Sequence, residues 1–392
     1  MKAQVTETVN ALQDQLISFA SELVKIKSPT CHEEEAVKRV ADEMRKLNYD
    51  QVIIDKVGNV IGVIGNGPEK LLFDSHIDNV AVNDSKAWEK DPYGGLIIDE
   101  KLYGRGSSDM KGSAAATVYA GAMIKKLGLD KGKTIYVCCS VMEEDYDGEG
   151  LYRAIVDNNL SPDYVVICEP THLQISLGHL GRAIYKITVE GVSAHGAAPE
   201  KGVNAVYGMA KIIERVEALG NRYMQLEGER PSIALTKIES EAVSLNAIPQ
   251  TCHIYLDRRM TLGENEETVA MEMDALIAGF DATWKVHDVA GTSWAGEKVN
   301  LHSFLPAWEI EKDHKLTQGC VTAYRDLFDH EPSMYKWNFS TNGVASAGKL
   351  GIPTIGFGAG IEKMAHMTNE YCPVPDIVNA CKFYTLLPRY LS

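Results

Sequence analysis

Leu71-Leu72-Phe73-Asp74-Ser75-His76-Ile77-Asp78 reads as a buried strand that runs directly into an imidazole and a carboxylate. Short apolar runs of this kind form interior strands of a parallel sheet, covered on both faces. The arrangement recurs along the chain. Ile135 to Val141 leads into Glu143-Glu144, Tyr164 to Cys168 leads into Glu169, and Thr354 to Phe357 precedes Ala365-His366. In open α/β sheets ligands gather outside the carboxyl ends of the strands, so these side chains are expected along one rim. Asp109, from the glycine-flanked stretch Gly104-Arg105-Gly106-Ser107-Ser108-Asp109-Met110-Lys111-Gly112, adds to them. The rim then carries two histidines and at least four carboxylates, the inventory of a two-metal hydrolase.

The surrounding chain has 392 residues, 45% hydrophobic and 24% charged, enough to bury a large core and to divide into two domains. A formal charge of −15 opposes phosphate backbones and anionic membranes, so neither nucleic acid nor membrane is an expected partner. The eight cysteines have no CxxC spacing, and Cys138, Cys139 and Cys168 fall inside strand-like runs, as reduced, buried thiols do. At the N-terminus Leu12, Leu16, Phe19, Leu23 and Ile26 give an amphipathic pattern. It contains neither a signal core nor an apolar span of about 18 residues, and a cytoplasmic protein is expected.

Helix-like and strand-like segments alternate up to Glu169, as in a sheet flanked by helices. A different texture begins near Gly178. Strand Ile184–Val189, helix Val203–Leu219, strands Ser232–Ile238 and His253–Asp257, helix Glu266–Ile277 and strand Trp284–Val289 follow in the order of a ferredoxin-like unit. The expected architecture is therefore α/β: a catalytic domain with a central, mostly parallel sheet, over residues 1–179 and 301–392, interrupted by an inserted α+β lid over 180–300.

Alternation along an extended segment puts His76 and Asp78 on one side, where the carboxylate can orient the imidazole. Adjacent acids such as Glu143-Glu144 are unfavourable after an apolar strand unless a cation or solvent compensates them. One would coordinate metal, and the other would take a proton from metal-bound water, whose pKa zinc lowers to about 7. Each motif alone has an ordinary reading: a polar strand end, a turn aspartate, a solvated acidic loop continued by Asp145, Asp147 and Glu149. Their joint placement on one rim decides for a site.

These segments, together with Cys168-Glu169-Pro170, Ser193-Ala194-His195 and Ala365-His366-Met367-Thr368-Asn369-Glu370, resemble the zinc metallopeptidase family of acetylornithine deacetylase, succinyl-diaminopimelate desuccinylase and glutamate carboxypeptidase over nearly the whole chain. The resemblance implies that Asp109 bridges two zinc ions, for which cobalt or manganese could substitute. It implies that His76 and Glu169 complete one metal site and Glu144 and His366 the other. Glu143 would be the general base acting on a metal-bridging water, and Asp78 would fix the tautomer of His76. In dimeric relatives the histidine matching His195 reaches the partner's active site, which implies a homodimer formed through the lid. Asn246 and Arg259 match the lid segment that grips a substrate carboxylate, for which a guanidinium fork is suited. The implied substrate is an N-acyl or N-carbamoyl amino acid or a short peptide, cleaved at its amide bond.

Phe339-Ser340-Thr341-Asn342-Gly343 departs from the family pattern by placing an amide where relatives often have an acid. With Asp91-Pro92-Tyr93-Gly94 and Glu144-Asp145-Tyr146-Asp147-Gly148, it looks most like the YgeY-type hydrolases linked to selenium metabolism, a name that leaves the substrate open. Two other classes fit the sequence less well. A metal-stabilised binding protein without turnover would not require Glu143. A nucleotide-dependent oxidoreductase, prompted by Gly356-Phe357-Gly358-Ala359-Gly360, lacks the G-x-G-x-x-G spacing and the downstream acid.

Overall fold

The computed structural model describes residues 1–82 and 84–391. The chain forms two compact units, one of Met1–His179, Ala290–Val299 and Glu309–Ser392, the other of Leu180–Val289 and Asn300–Trp308.

In the first unit, strand Glu69–His76 lies between two parallel neighbours, Lys133–Ser140 and Tyr164–Ile167. Being covered on both faces, it buries Leu71, Leu72 and Phe73 almost completely. Each such side chain contributes about 1.5–3 kcal/mol, which is why so polar a terminus as Asp74–His76 can be held inside. Thr354–Gly356 adds in parallel to Tyr164–Ile167. The segment Val52 to Ile64 is two strands, Gln51–Ile54 and Val60–Gly65, paired antiparallel, and the second pairs antiparallel with Lys133–Ser140. The sheet is thus mixed, with a parallel middle that directs the carboxyl ends of the His76, Ser140 and Ile167 strands to the same side. Helix Gly112–Leu127 is buried along most of its length and packs against helix Val374–Leu386. All eight cysteines are free, and only Cys31 is not buried.

The second unit is a four-stranded antiparallel sheet ordered Ser232–Glu241, Thr251–Met260, Gly181–Glu190, Ala282–Val286, with Phe304–Leu305 added to Gly181–Glu190. This is the ferredoxin-like order. Alternation in Gly181–Glu190 turns Ala183, Tyr185, Ile187 and Val189 inward, where they join Met209, Ile212 and Val216 of helix Ala205–Met224 in one core. The helices start where the sequence caps them. Asn204 accepts the Val206 N–H, and Asn265 with Thr268 forms a reciprocal capping box at Glu266–Ile277.

The closing boundary differs from the expected one at 300. Ala290–Val299 belongs to the first unit, where the Trp294 indole donates to the Gly58 carbonyl at 3.1 Å. Asn300–Trp308 belongs to the second, because Phe304–Leu305 extends its sheet. Both stretches alternate like strands, and alternation does not record which sheet will accept them. Among the described residues, no helix is long and apolar enough to cross a membrane.

Candidate metal centre

Past their last residues the parallel strands keep their register. The Ile77 N–H donates to the Ser140 carbonyl at 3.0 Å and the Cys168 N–H to the Asp74 carbonyl at 2.9 Å. His76, Glu143-Glu144 and Glu169 therefore leave the sheet side by side. His76 Nε2 lies 3.0 Å from Asp109 Oδ1, 3.5 Å from Glu169 Oε1 and 3.9 Å from Glu143 Oε2. The other oxygen of Asp109, Oδ2, lies 3.2 Å from His366 Nε2, which is itself 2.9 Å from Glu144 Oε2. Asp109 thus offers one oxygen to each histidine. Donor atoms of His76, Glu143 and Glu169, and likewise of His76, Asp109 and Glu144, all lie within 4.8 Å of one another, close enough to share a cation.

The electrostatics agree. Burial pushes the carboxyls of Glu143 and Glu169 well above the usual range and that of Glu144 to about 7, and neighbouring acids add to the effect. His366 is raised to about 10 by its hydrogen bonds to Asp109 and Glu144. Burial works against a charged His76, yet Glu169, Asp109, Asp78 and Glu143 outweigh it and hold the imidazole well above its ordinary value. Burial also opposes charge on Asp109, but the two imidazoles keep its carboxyl low. A crowd of buried acids around two imidazoles, with oxygen and nitrogen donors and no thiolate, has the chemistry to hold two divalent cations.

Asp78 supports this cluster more broadly than its expected role. His76 Nδ1 lies 3.1 Å from the Asp78 carbonyl oxygen and 3.4 Å from its carboxylate, so the neutral ring carries its proton on Nδ1 and presents the Nε2 lone pair to the centre. The Asp78 carboxylate also accepts the N–H groups of Glu143 and Glu144, both at 3.1 Å, and the Thr30 hydroxyl at 2.9 Å.

Glu370 does the same for the Asp109 loop, a role that the sequence reading did not assign. Its fully buried carboxylate accepts the N–H groups of Gly106, Ser108 and Asp109 at 3.1, 2.9 and 3.1 Å, and the Arg105 guanidinium at 2.6 Å. Asn342, the residue that departs from the family pattern, is fully engaged. Its Nδ2 donates to Asp74 at 2.9 Å and Ser140 at 3.0 Å, and its Oδ1 accepts the Gly148 N–H at 2.8 Å. The amide serves as a buried brace, since an acid there would face Asp74. Beside Glu144 and His366 opens a cavity of about 600 Å³, also lined by Thr30, Trp88, Arg105 and Thr368.

His195, Asn246 and Arg259 belong to the second unit. His195 and Ala247 form a bridge between adjacent segments, so His195 and Asn246 are neighbours. His195 Nδ1 accepts the Ala197 N–H at 3.0 Å, which leaves the proton of the neutral ring on Nε2. Arg259 Nε donates to Asp257 at 2.8 Å, so its fork is already engaged by an acid of its own strand.

The chain is similar to known proteins over nearly all of its length. The chain is 38% identical over 388 residues, 98% of its own length and 96% of the relative's, to the protein called YgeY of Escherichia coli (strain K12). It is 27% identical over 404 residues, spanning both chains completely, to the succinyl-diaminopimelate desuccinylase of Corynebacterium glutamicum. Its fold matches the YXEP protein of Bacillus subtilis, described as a dinuclear metal-binding peptidase of the M20 family. That match has a TM-score of 0.69 and 13% identity, covering 97% of this chain and 98% of the other. Residues 72–389 match the model of Peptidase family M20/M25/M40. The chain accordingly belongs to Peptidase family M20/M25/M40, a family of metal-dependent hydrolases of amide and peptide bonds.

Proposed function

We propose that this protein is a dizinc hydrolase cleaving the amide bond of an N-acyl or N-carbamoyl amino acid, or of a short peptide, in the cytoplasm. The observation that carries the reading is the placement of Asp109 between His76 and His366, one carboxylate oxygen to each. His76, Asp109 and Glu169 would hold one ion, and Asp109, Glu144 and His366 the other. When bound, the ions supply Lewis acidity to the scissile carbonyl. Glu143 takes a proton from the attacking water and returns it to the leaving nitrogen. Asp78 keeps His76 and the Glu143-Glu144 turn in place while this happens.

The second unit supplies recognition. It exposes Val192, Val203, Tyr207, Val243 and Leu245, and its strand Ser232–Glu241 stands at a sheet edge, features that suit a homodimer formed through this unit. His195 then donates a hydrogen bond from its Nε2–H to the developing oxyanion in the partner's site, and Asn246 and Arg259 hold the substrate carboxylate. Arg259 would exchange Asp257 for that carboxylate. Arg259→Lys is expected to raise KM about tenfold with kcat little changed, the loss of one charge-assisted hydrogen bond of about 1.5 kcal/mol. Steady-state kinetics check it, and an unchanged KM removes Arg259 from the substrate site.

Elemental analysis of the purified protein, coupled to a screen of N-acyl and N-carbamoyl amino acids and dipeptides, tests the whole reading. Two zinc ions per chain are expected, with turnover lost on chelation and restored by zinc. A single ion per chain in fully active enzyme sinks the dinuclear centre.

A further inference from the structure

Strand Lys133–Ser140 ends just before the residues that the proposed chemistry uses, and the next four backbone N–H groups are held by side chains. Side chains take them one after another. Asn59 Oδ1 accepts the Val141 N–H at 3.0 Å, Glu33 Oε1 accepts the Met142 N–H at 3.1 Å, and Asp78 accepts those of Glu143 and Glu144. In the middle of this run Met142 has φ +66°, a left-handed conformation that a residue with a Cβ adopts only when its surroundings impose it. Its N–H is the one held by Glu33.

Glu33 is itself fully buried, at the start of helix Glu34–Lys46. The same oxygen that takes the Met142 N–H also takes the Cys31 N–H at 2.9 Å, while the second oxygen, Oε2, is buried without a hydrogen-bond partner. A carboxyl group placed so deep, with half its acceptor capacity unused, is costly for folding alone. We infer that Glu33 is a positioning residue of this centre. By clamping the Met142 N–H it holds the left-handed turn that aims Glu143 and Glu144, and it ties that turn to the segment from which Thr30 supports Asp78. The inference rests on the reading above, in which Glu143 and Glu144 work at the metal centre.

Two variants of nearly equal volume isolate the contact. Glu33→Gln keeps an oxygen acceptor, whereas Glu33→Met fills the same space without one. Both remove the ionisable carboxyl. In Glu33→Met, cation affinity and kcat are expected to fall about 10- to 100-fold with KM unchanged, and in the metal-free protein the amides of residues 141–144 should exchange with deuterium faster. Glu33→Gln retains an oxygen acceptor and should stay within about threefold of wild type on all of these, less than the net worth of a typical hydrogen bond. Equal loss in both variants assigns the effect to the carboxyl group as such rather than to an oxygen acceptor and overturns the inference, as does loss in neither. Should Glu33→Met not fold, a tenfold drop in Glu33→Gln overturns it and wild-type behaviour supports it. Amide exchange does not require turnover. A turn loosened in a protein that hydrolyses nothing would therefore count against the hydrolytic reading, while an unloosened turn in an active enzyme counts against the clamp.

Discussion

Glu143→Ala is expected to lose amide hydrolysis by roughly 10²- to 10⁴-fold, the range associated with a general acid–base group, while keeping both ions. The second half of the expectation is the decisive one. Glu143 Oε2 lies only 3.9 Å from His76 Nε2, and Glu143 clusters with His76 and Glu169 within coordination range. Geometry alone thus permits it to be a ligand. If it were one, alanine would remove an ion along with activity. Elemental analysis and kinetics on the same preparation separate the roles: full metal with little turnover assigns the proton transfer, whereas one ion lost assigns coordination. Turnover at the wild-type rate would remove Glu143 from the mechanism altogether.

Glu370→Ala should be the most damaging change outside the centre, destabilising the first unit by about 3–5 kcal/mol, the usual cost of leaving one member of a buried ion pair alone. Arg105 would keep a buried guanidinium without its carboxylate, and the N–H groups of Gly106, Ser108 and Asp109 would lose their acceptor. The harm to function follows from the last of these, since Asp109 is the residue between the two histidines. Urea denaturation of the metal-free variant measures the stability loss, and metal titration measures the loosened loop. A loss below about 1 kcal/mol, the worth of a surface pair, would show that the network is incidental.

The side chains of the centre were legible in the sequence because each stands at the end of an apolar run, and parallel strands must release such residues on one side. His76, Glu143, Glu144 and Glu169 are placed by that rule alone. Asp109 and His366 were also expected on that rim, but from a glycine-flanked loop and from a stretch several residues past its strand, and such loops leave no periodic trace. What stayed hidden were the acids that hold the loops. Glu33 opens the run Glu33-Glu34-Glu35, and nothing in its composition distinguishes the buried first member from its two exposed successors. Glu370 was visible as part of a motif, but its partners lie more than 260 positions away. Gly356 and Gly358 look like part of a nucleotide loop in the sequence, and the structure gives a plainer reason for the second. A Cβ on Gly358 would stand 2.2 Å from the Glu169 carbonyl and 2.3 Å from that of Cys168, so only glycine lets the chain pass the end of that strand. The boundary near residue 300 failed for a related reason, because strand texture is local and the choice of sheet is not.

Strand Thr354–Gly356 sits in the sheet between Tyr164–Ile167 and Ile175–His179, although nearly half the chain separates it from them in sequence. During synthesis the first unit therefore waits with an open seam until its C-terminal stretch leaves the ribosome. The ferredoxin-like unit meanwhile has all of its helices and the four strands of its main sheet in one uninterrupted stretch, and can condense while its older neighbour is still incomplete. Order of synthesis and order of completion can thus differ, and a nascent chain stalled before residue 354 would hold every residue of the insert while its host still lacked a strand.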